Sequence, residues 1–280
     1  MKILVTGSSG QVGSDVVIEA KRRGHEVIGI NSTILDITFK QEVIDFIENL
    51  KPDVVIHCAA YTQVDKAETF KNECYNVNVE GTKNIAIASK LVDAKLIYIS
   101  TDYVFDGFTP NKYYENSQCS PVNYYGKTKF LGEEVVREIC TAYFIVRISW
   151  VFGKNGNNFV KTMLRLSETN KVINVVNDQV GSPTFTEDLS KLLIDFTTTE
   201  RYGTYHATNQ GTCSWAEFAS KIFEVSGKDS MVKKITTSEY KTPAKRPSNS
   251  VLGNTELEKN GFSKLPHWED ALNRFLKEES

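Results

Sequence analysis

The 280-residue sequence is poor in the features that mark several broad classes of protein. It has five cysteines (Cys58, Cys74, Cys119, Cys140 and Cys213), an odd number with no CxxC pair. That pattern excludes a disulfide-framed secreted scaffold and fits reduced thiols in the cytoplasm. The four histidines are scattered, so no zinc-ligand spacing arises and no metal site is expected. No run of about 18 apolar residues occurs, which leaves no membrane-spanning helix to expect. The net charge of −2 removes the electrostatic case for a nucleic-acid or membrane-surface partner. The opening Met1-Lys2-Ile3-Leu4-Val5-Thr6-Gly7 runs straight into a motif without a signal-peptide cleavage pattern, so a cytoplasmic location is expected. There is no internal repeat and no low-complexity tract. What remains, at 40% hydrophobic and 24% charged residues, is a globular chain long enough for one large domain or two modest ones.

The first half alternates short β-branched runs with helical patterns. Ile3-Leu4-Val5, Val27 to Ile30, Val54-Val55-Ile56, Leu96 to Ile99 and Phe144-Ile145-Val146 read as strands. Helices are predicted over Val12 to Arg23, Glu42 to Leu50 (stopped by Pro52), around Asn84 to Val92, and after Tyr125. Apolar strands separated by helices imply a doubly wound α/β Rossmann domain, a parallel sheet with helices on both faces. Its ligands should sit at the carboxyl ends of the strands. Beyond residue 150 the pattern loosens into a smaller mixed lobe. Helices are expected near Asn157 to Ser167, Trp215 to Val225 and from Trp268, with a Pro/Lys/Ser-rich loop at Lys241 to Ser250. Residues 1–150, with 177–206 returning to the sheet, form the expected cofactor domain. Residues 151–176 and 207–280 form the expected substrate lobe.

The first strand leads into Gly7-Ser8-Ser9-Gly10-Gln11-Val12-Gly13, a GxxGxxG turn. Its glycines permit a tight turn and close approach to a pyrophosphate, and the helix behind offers free N–H groups. Gly7, Ser9, Gly10, Gln11, Val12 and Gly13 are therefore candidate dinucleotide contacts. This spacing is typical of extended short-chain reductases. The second strand ends on Asn31, not on the acid that holds a ribose 2′-hydroxyl in a strict NAD enzyme. No arginine follows to bind a 2′-phosphate, although Lys21-Arg22-Arg23 could lie near. The balance favours NADPH slightly over NADH. Asp36 and Ile37 stand where such proteins contact adenine, and Asp36 reads equally well as a helix N-cap. Cys58-Ala59-Ala60-Tyr61-Thr62 ends the third strand, where small residues let the chain pass close to a cofactor.

Tyr125 and Lys129 form YxxxK, a pattern that chance supplies about once in a chain with 12 tyrosines. Its setting is more informative. The two lie four apart on an expected helix and so project from one face. They follow the strand whose end carries Ser100-Thr101-Asp102-Tyr103. Ketone reduction leaves alkoxide character on oxygen, which a proton donor must meet. A nearby ammonium stabilises phenolate and tunes the tyrosine for that task. A threonine hydroxyl can hold the carbonyl oxygen beside it.

The chain as a whole resembles the dTDP-4-dehydrorhamnose reductase family of extended short-chain dehydrogenases/reductases. The matching segments include Thr6 to Gly13, Ala59 to Glu68, Ser100 to Gly107 and Tyr125 to Lys129. More telling are Arg147 to Gly153, Asn157 to Met163, Asn177 to Thr184 and Arg246 to Ser250. The resemblance implies hydride transfer from NAD(P)H to the 4-keto group of a dTDP-sugar, with Thr101, Tyr125 and Lys129 catalytic. It also implies that Thr101, Asp102, Tyr103 and Trp150 touch the sugar. Asn158, Gln179 and Arg246 become candidates for the nucleotide diphosphate, Arg246 being equally readable as a solvated loop charge. A homodimer is consistent with the family, some of whose members carry magnesium at an acidic dimer contact. Asp15 and Glu187 fall in suitable places, but the short C-terminal tail offers no convincing further carboxylate.

Two rival readings stay open at this stage. One is an NADP-binding regulatory subunit resembling that of methionine adenosyltransferase, against which the intact Thr101, Tyr125 and Lys129 argue. The other is a sugar-nucleotide epimerase or dehydratase of the same fold, for which the chain is short.

Overall fold

A computed structural model describes residues 1–279. The chain runs β1 (Lys2–Thr6), α1 (Gln11–Arg22), β2 (Glu26–Ile30), α2 (Lys40–Leu50), β3 (Val54–His57), and the short α3 (Val64–Ala67) and α4 (Lys71–Tyr75). A π-helical turn, Asn76–Gly81, leads into α5 (Thr82–Leu91), followed by β4 (Lys95–Thr101), α6 (Tyr124–Ile139) and β5 (Tyr143–Ile148). Then come β6 (Val151–Phe152), α7 (Phe159–Ser167), β7 (Val172–Val176), β8 (Val180–Gly181), β9 (Thr184–Phe185), α8 (Thr186–Thr197) and β10 (Gly203–His206). The last stretch holds β11 (Asn209–Gln210), β12 (Cys213–Ser214), α9 (Trp215–Ser226), β13 (Met231–Ile235), α10 (Thr255–Lys259), β14 (Leu265–His267) and α11 (Trp268–Glu279).

Six parallel strands form the main sheet in the order β10-β5-β4-β3-β1-β2. The five strands expected from the first half are all present, and Gly203–His206 returns as the sixth. Apolar residues on the two faces of each strand fill two cores. One includes Ile3, Val5, Ile56, Ile97 and Val146 with α1 and α8. The other includes Leu4, Val55, Leu96 and Ile145 with α2 and α5. This two-sided burial explains why the strands read as continuous apolar runs. Helix α2 ends at Leu50 because Lys51 turns left-handed (φ 48°) ahead of Pro52.

The later segments build a third core from α7, α9, α11 and the short strands, centred on Phe152, Phe185, Phe218 and Phe275. Four two-stranded sheets, β6/β9, β7/β13, β8/β12 and β11/β14, knit it together. None of these was read from the sequence: six of the eight strands have only two or three residues and carry no period to detect, and only the five-residue β7 and β13 are longer. Helix α9 starts with a Ser214/Glu217 capping box and ends on Gly227 at φ 63°. Among the described residues no helix is long and apolar enough to cross a membrane.

Strand β1 lies between β2 and β3, so the chain leaves it first to one side and then to the other. That reversal opens a crevice beyond the carboxyl ends of the strands. It has a volume of about 1300 Å³ and is lined by residues from Thr6 to Trp215.

Candidate active site

The glycine turn divides its labour among three positions. Gly7 has φ +64°, and a Cβ there would stand 2.7 Å from the backbone of Ala59. Gly13 holds α1 against the turn, since its Cβ would meet the Gly7 carbonyl at 2.3 Å. Gly10 is exposed on the crevice and caps α1 without a side chain, and no acid occupies the helix's first turn. The result is a cradle of backbone N–H groups and a positive dipole end, which fits a dinucleotide pyrophosphate. Ser9, Gln11 and Val12 line the same wall.

At the end of β2, Asn31, Asp36 and Ile37 also line the crevice. The Asn31 side chain accepts from the N–H and hydroxyl of Thr33 at 3.1 and 2.7 Å. Asp36 accepts from the N–H and hydroxyl of Thr38 at 2.9 and 2.8 Å, shaping the loop rather than capping α2. The expectation that Lys21, Arg22 or Arg23 could serve this end is corrected by the structure. They form the far end of α1, about 18 Å from its crevice end. Arg22 and Arg23 are held there by Glu19, and Arg23 also by Asp195.

Ala59, Ala60, Tyr61 and Thr62 continue the lining beyond β3. The buried His57 accepts or donates to Thr6 Oγ1 at 2.7 Å, and the Ala59 N–H donates to that same oxygen at 3.1 Å. Asn78, in the π-helical turn, accepts from the Tyr61 N–H at 2.8 Å and donates to Thr128 of α6 at 3.0 Å. It thereby ties the β3 end to the helix that carries the tyrosine–lysine pair.

Helix α6 is set against the sheet at close range. Asn123 caps it, accepting from the Gly126 N–H at 2.8 Å. A Cβ on Gly126 would lie 2.1 Å from the Tyr103 carbonyl, and one on Gly132 would lie 2.3 Å from the Tyr98 hydroxyl. This proximity brings Tyr125 and Lys129 into the crevice beside the glycine turn. The Tyr125 phenol and the Thr101 side chain line the same crevice. Burial, reinforced by Asp102, pushes the phenol's pKa well above the ordinary tyrosine value, with Thr101 acting the other way. Lys129 is 2% exposed and donates to the Ile99 carbonyl at 2.7 Å. Its ammonium stands 4.0 Å from the centre of the Tyr98 ring. Burial draws its pKa down to about 7, opposed first by Glu133.

On the opposite wall, Thr101 donates to Asp102 Oδ1 at 2.9 Å and accepts from the Tyr103 N–H at 3.2 Å. Asp102 is buried, which pushes its carboxyl up to about 6 against the hydrogen bonds of Thr101 and Ser250. Tyr103 meets Tyr125 edge-on at 5.7 Å. Trp150, at φ +48°, stacks on Trp215 with centroids 3.6 Å apart and planes 8° apart. Its ring is packed so closely that a Cβ on Gly181 would reach it at 2.5 Å.

Three expected substrate contacts stand outside this lining. Asn158 caps α7 and donates to Gln11 Oε1 at 3.2 Å and the Gly153 carbonyl at 2.8 Å. Gln179 is buried and donates to Thr237 at 3.0 Å. Arg246 forms a two-pronged ion pair with Asp65 at 3.0 and 2.8 Å, and its charge acts on the Tyr103 phenol. The C-terminal helix does supply a carboxylate that the sequence reading did not find. Glu278, paired with Lys154 at 2.9 Å, acts electrostatically on Asp15 together with Glu187.

The whole chain, residues 1–280, matches the family model described as the RmlD substrate binding domain. The chain belongs to that family. It is 40% identical over 279 residues to the spore coat polysaccharide biosynthesis protein SpsK of Bacillus subtilis (strain 168), covering 100% of this chain and 98% of that one. It is 39% identical over 284 residues to the dTDP-4-dehydrorhamnose reductase of Aggregatibacter actinomycetemcomitans, covering 97% of each. The solved dTDP-4-dehydrorhamnose reductase of Bacillus anthracis str. Ames, in complex with NADP, has a TM-score of 0.97 at 44% identity over 99% of both chains.

Within this RmlD-type site, sequence reasoning missed Trp215, Tyr98, Asn78 and Asp65. Trp215 could have been suspected as an aromatic at a helix start. The others depend on which elements the fold brings together, and no local signal announces that.

Proposed function

We propose that this chain reduces the 4-keto group of dTDP-4-dehydro-L-rhamnose, giving dTDP-L-rhamnose, with NADPH or NADH as hydride source and Tyr125 as proton donor. The observation that carries this reading is the meeting of Thr101, Tyr125 and Lys129 with the glycine turn in one crevice. Family membership and the NADP carried by a 44% identical relative support it. Residues 1–150 with 177–206 would hold the cofactor, and residues 151–176 with 207–280 would form the substrate lobe.

When bound, the cofactor supplies the hydride that adds to the carbonyl carbon. The chain's own residues handle the oxygen. The Thr101 hydroxyl, turning its proton from Asp102 to the substrate, donates to the carbonyl oxygen and holds it next to the phenol. Tyr125, whose buried phenol keeps its proton, delivers that proton to the developing alkoxide. The Lys129 ammonium stabilises the phenolate left behind until solvent returns a proton. Trp150, backed by Trp215, offers a flat apolar face to the sugar ring. Arg246 would reach the diphosphate by exchanging Asp65 for phosphate, matching its planar fork to the new oxygens. Asn158 and Gln179 would shape the lobe around that group.

The test is NADPH and NADH oxidation by the purified chain with dTDP-4-dehydro-L-rhamnose, with the product identified. One cofactor oxidised per dTDP-L-rhamnose formed is expected. Clean cofactor binding without turnover would favour the regulatory-subunit reading. Tightly held NAD released on denaturation, with no net oxidation, would favour an epimerase or dehydratase.

A further inference from the structure

The polar stripe on α6 does not stop at the tyrosine and lysine. Tyr125, Lys129, Glu133 and Arg137 follow at intervals of four and share one helix face. Glu133 is fully buried, at 0% exposure. Its carboxylate accepts four hydrogen bonds. Ser100 Oγ and Arg147 Nε donate to Oε1 at 2.6 and 2.8 Å. Arg147 Nη2 and Arg137 Nη2 donate to Oε2 at 2.7 and 2.8 Å. Ser100 immediately precedes Thr101 on β4, and Arg147 lies on β5 just before the segment that ends in Trp150. One carboxylate therefore joins the helix bearing Tyr125 to both strands whose ends carry the facing wall.

Stability alone does not account for this arrangement. A buried ion pair gains little over well-packed apolar residues of the same volume. What an apolar pair could not supply is a fixed negative charge one helical turn from Lys129. We propose that Glu133 is a positioning residue for the reduction: its carboxylate locks α6 against β4 and β5 and provides the counter-charge for the Lys129 ammonium. The inference rests on the reading of Tyr125 and Lys129 as the reacting pair.

The surroundings of Lys129 agree. Burial draws its pKa down, and Glu133 is the strongest influence in the other direction, ahead of the Cys58 and Cys74 thiols. His57 of β3 faces it as a neutral ring, its pKa drawn down to about 3 by burial and then by Lys129 itself. Tyr98 of β4 lies against the ammonium, and Tyr125 stands one turn earlier on α6; burial keeps both phenols protonated. Cys58 is pushed up to about 12 by burial. The guanidinium groups of Arg147 and Arg137 are both bound to Glu133. Glu133 is thus the carboxylate that acts most strongly on the lysine, although it shares its charge with two guanidinium groups.

The test is the pH profile of kcat/KM for NADPH-dependent reduction of the dTDP-4-keto sugar, compared among the unaltered chain, Glu133→Gln and Glu133→Asp. Gln keeps the shape and removes the charge; Asp keeps the charge and shortens the reach. The alkaline limb should move down by about one pH unit in Glu133→Gln and stay in place in Glu133→Asp. Should the Gln variant fail to fold, Glu133→Gln with Arg147→Met removes the stranded guanidinium and should show the same displaced limb. Superimposable limbs in the unaltered and Gln chains, or equal movement in the Asp and Gln chains, would overturn the role of Glu133 while leaving the reductase reading standing. An unaltered chain that does not turn over the sugar would overturn both.

Discussion

Gly126→Ala sets two effects against each other, and their sizes decide the outcome. Replacing a helical glycine by alanine favours the helix by about 1 kcal/mol. Here, however, the new Cβ would stand 2.1 Å from the Tyr103 carbonyl oxygen, which is backbone and cannot rotate away. Reaching van der Waals contact requires the start of α6 to withdraw by more than about 1 Å. The capping bond from Asn123 and the Asn78–Thr128 link resist that movement. Such overpacking costs about 1–3 kcal/mol, which offsets or exceeds the helical gain. The larger effect falls on Tyr125, the preceding residue, which shifts relative to Thr101. A displacement of about 1 Å in a reacting group lowers turnover by roughly 10²-fold, equivalent to about 2.7 kcal/mol. The assay is kcat for reduction of the dTDP-4-keto sugar alongside NADPH affinity, which should change little because the glycine turn is untouched. An alanine variant with unaltered kcat would refute the reasoning that clearance between α6 and the β4 end sets the position of the phenol.

Asn31→Asp keeps the acceptor for Thr33 but places a carboxylate at the β2 end; KM for NADPH should rise about tenfold or more while KM for NADH holds or falls, measured by steady-state kinetics with each cofactor. Trp215→Ala removes the plane that backs Trp150; KM for the sugar nucleotide should rise roughly five- to tenfold with KM for NADPH unchanged. Lys129→Met should alter stability in a pH-dependent way. The folded pKa of about 7 lies below the ordinary amine value of about 10.4, so between them the unfolded chain binds a proton that the folded chain does not. Lys129 therefore adds stability as pH rises through that window and loses it as pH falls towards 7. Urea melts of the unaltered chain should steepen in stability over this range, and the Met variant should lack that slope.

The main sheet was legible because its strands are buried on both faces and so appear as unbroken apolar runs between capped helices. Gly7, Gly10 and Gly13 were legible as a tight strand-to-helix turn through their spacing, and the structure shows that Gly7 and Gly13 leave no room for a Cβ. Tyr125 and Lys129 were legible from position rather than pattern, since YxxxK is common by chance. Arg246 was harder. Its ion pair with Asp65 joins residues 181 positions apart, which no local window connects. Trp215 escaped notice for a similar reason: it joins the crevice wall stacked on Trp150, 65 positions earlier in the chain. The charges of Lys21 to Arg23 at the end of α1 misled because nearness in sequence to β2 is not nearness to its carboxyl end.

The sixth strand of the sheet has a consequence for how the chain emerges during synthesis. β5 is five-sixths buried in the finished molecule, yet its outer edge is covered only by Gly203–His206. A growing chain that has released Ile148 must extend by 58 residues before His206 follows, which takes roughly 3–12 s at cellular elongation rates. Throughout that interval an apolar strand offers unpaired N–H and C=O groups to any neighbour. A chaperone that shields Tyr143–Ile148 during those seconds should raise the yield of this protein more than one acting after release.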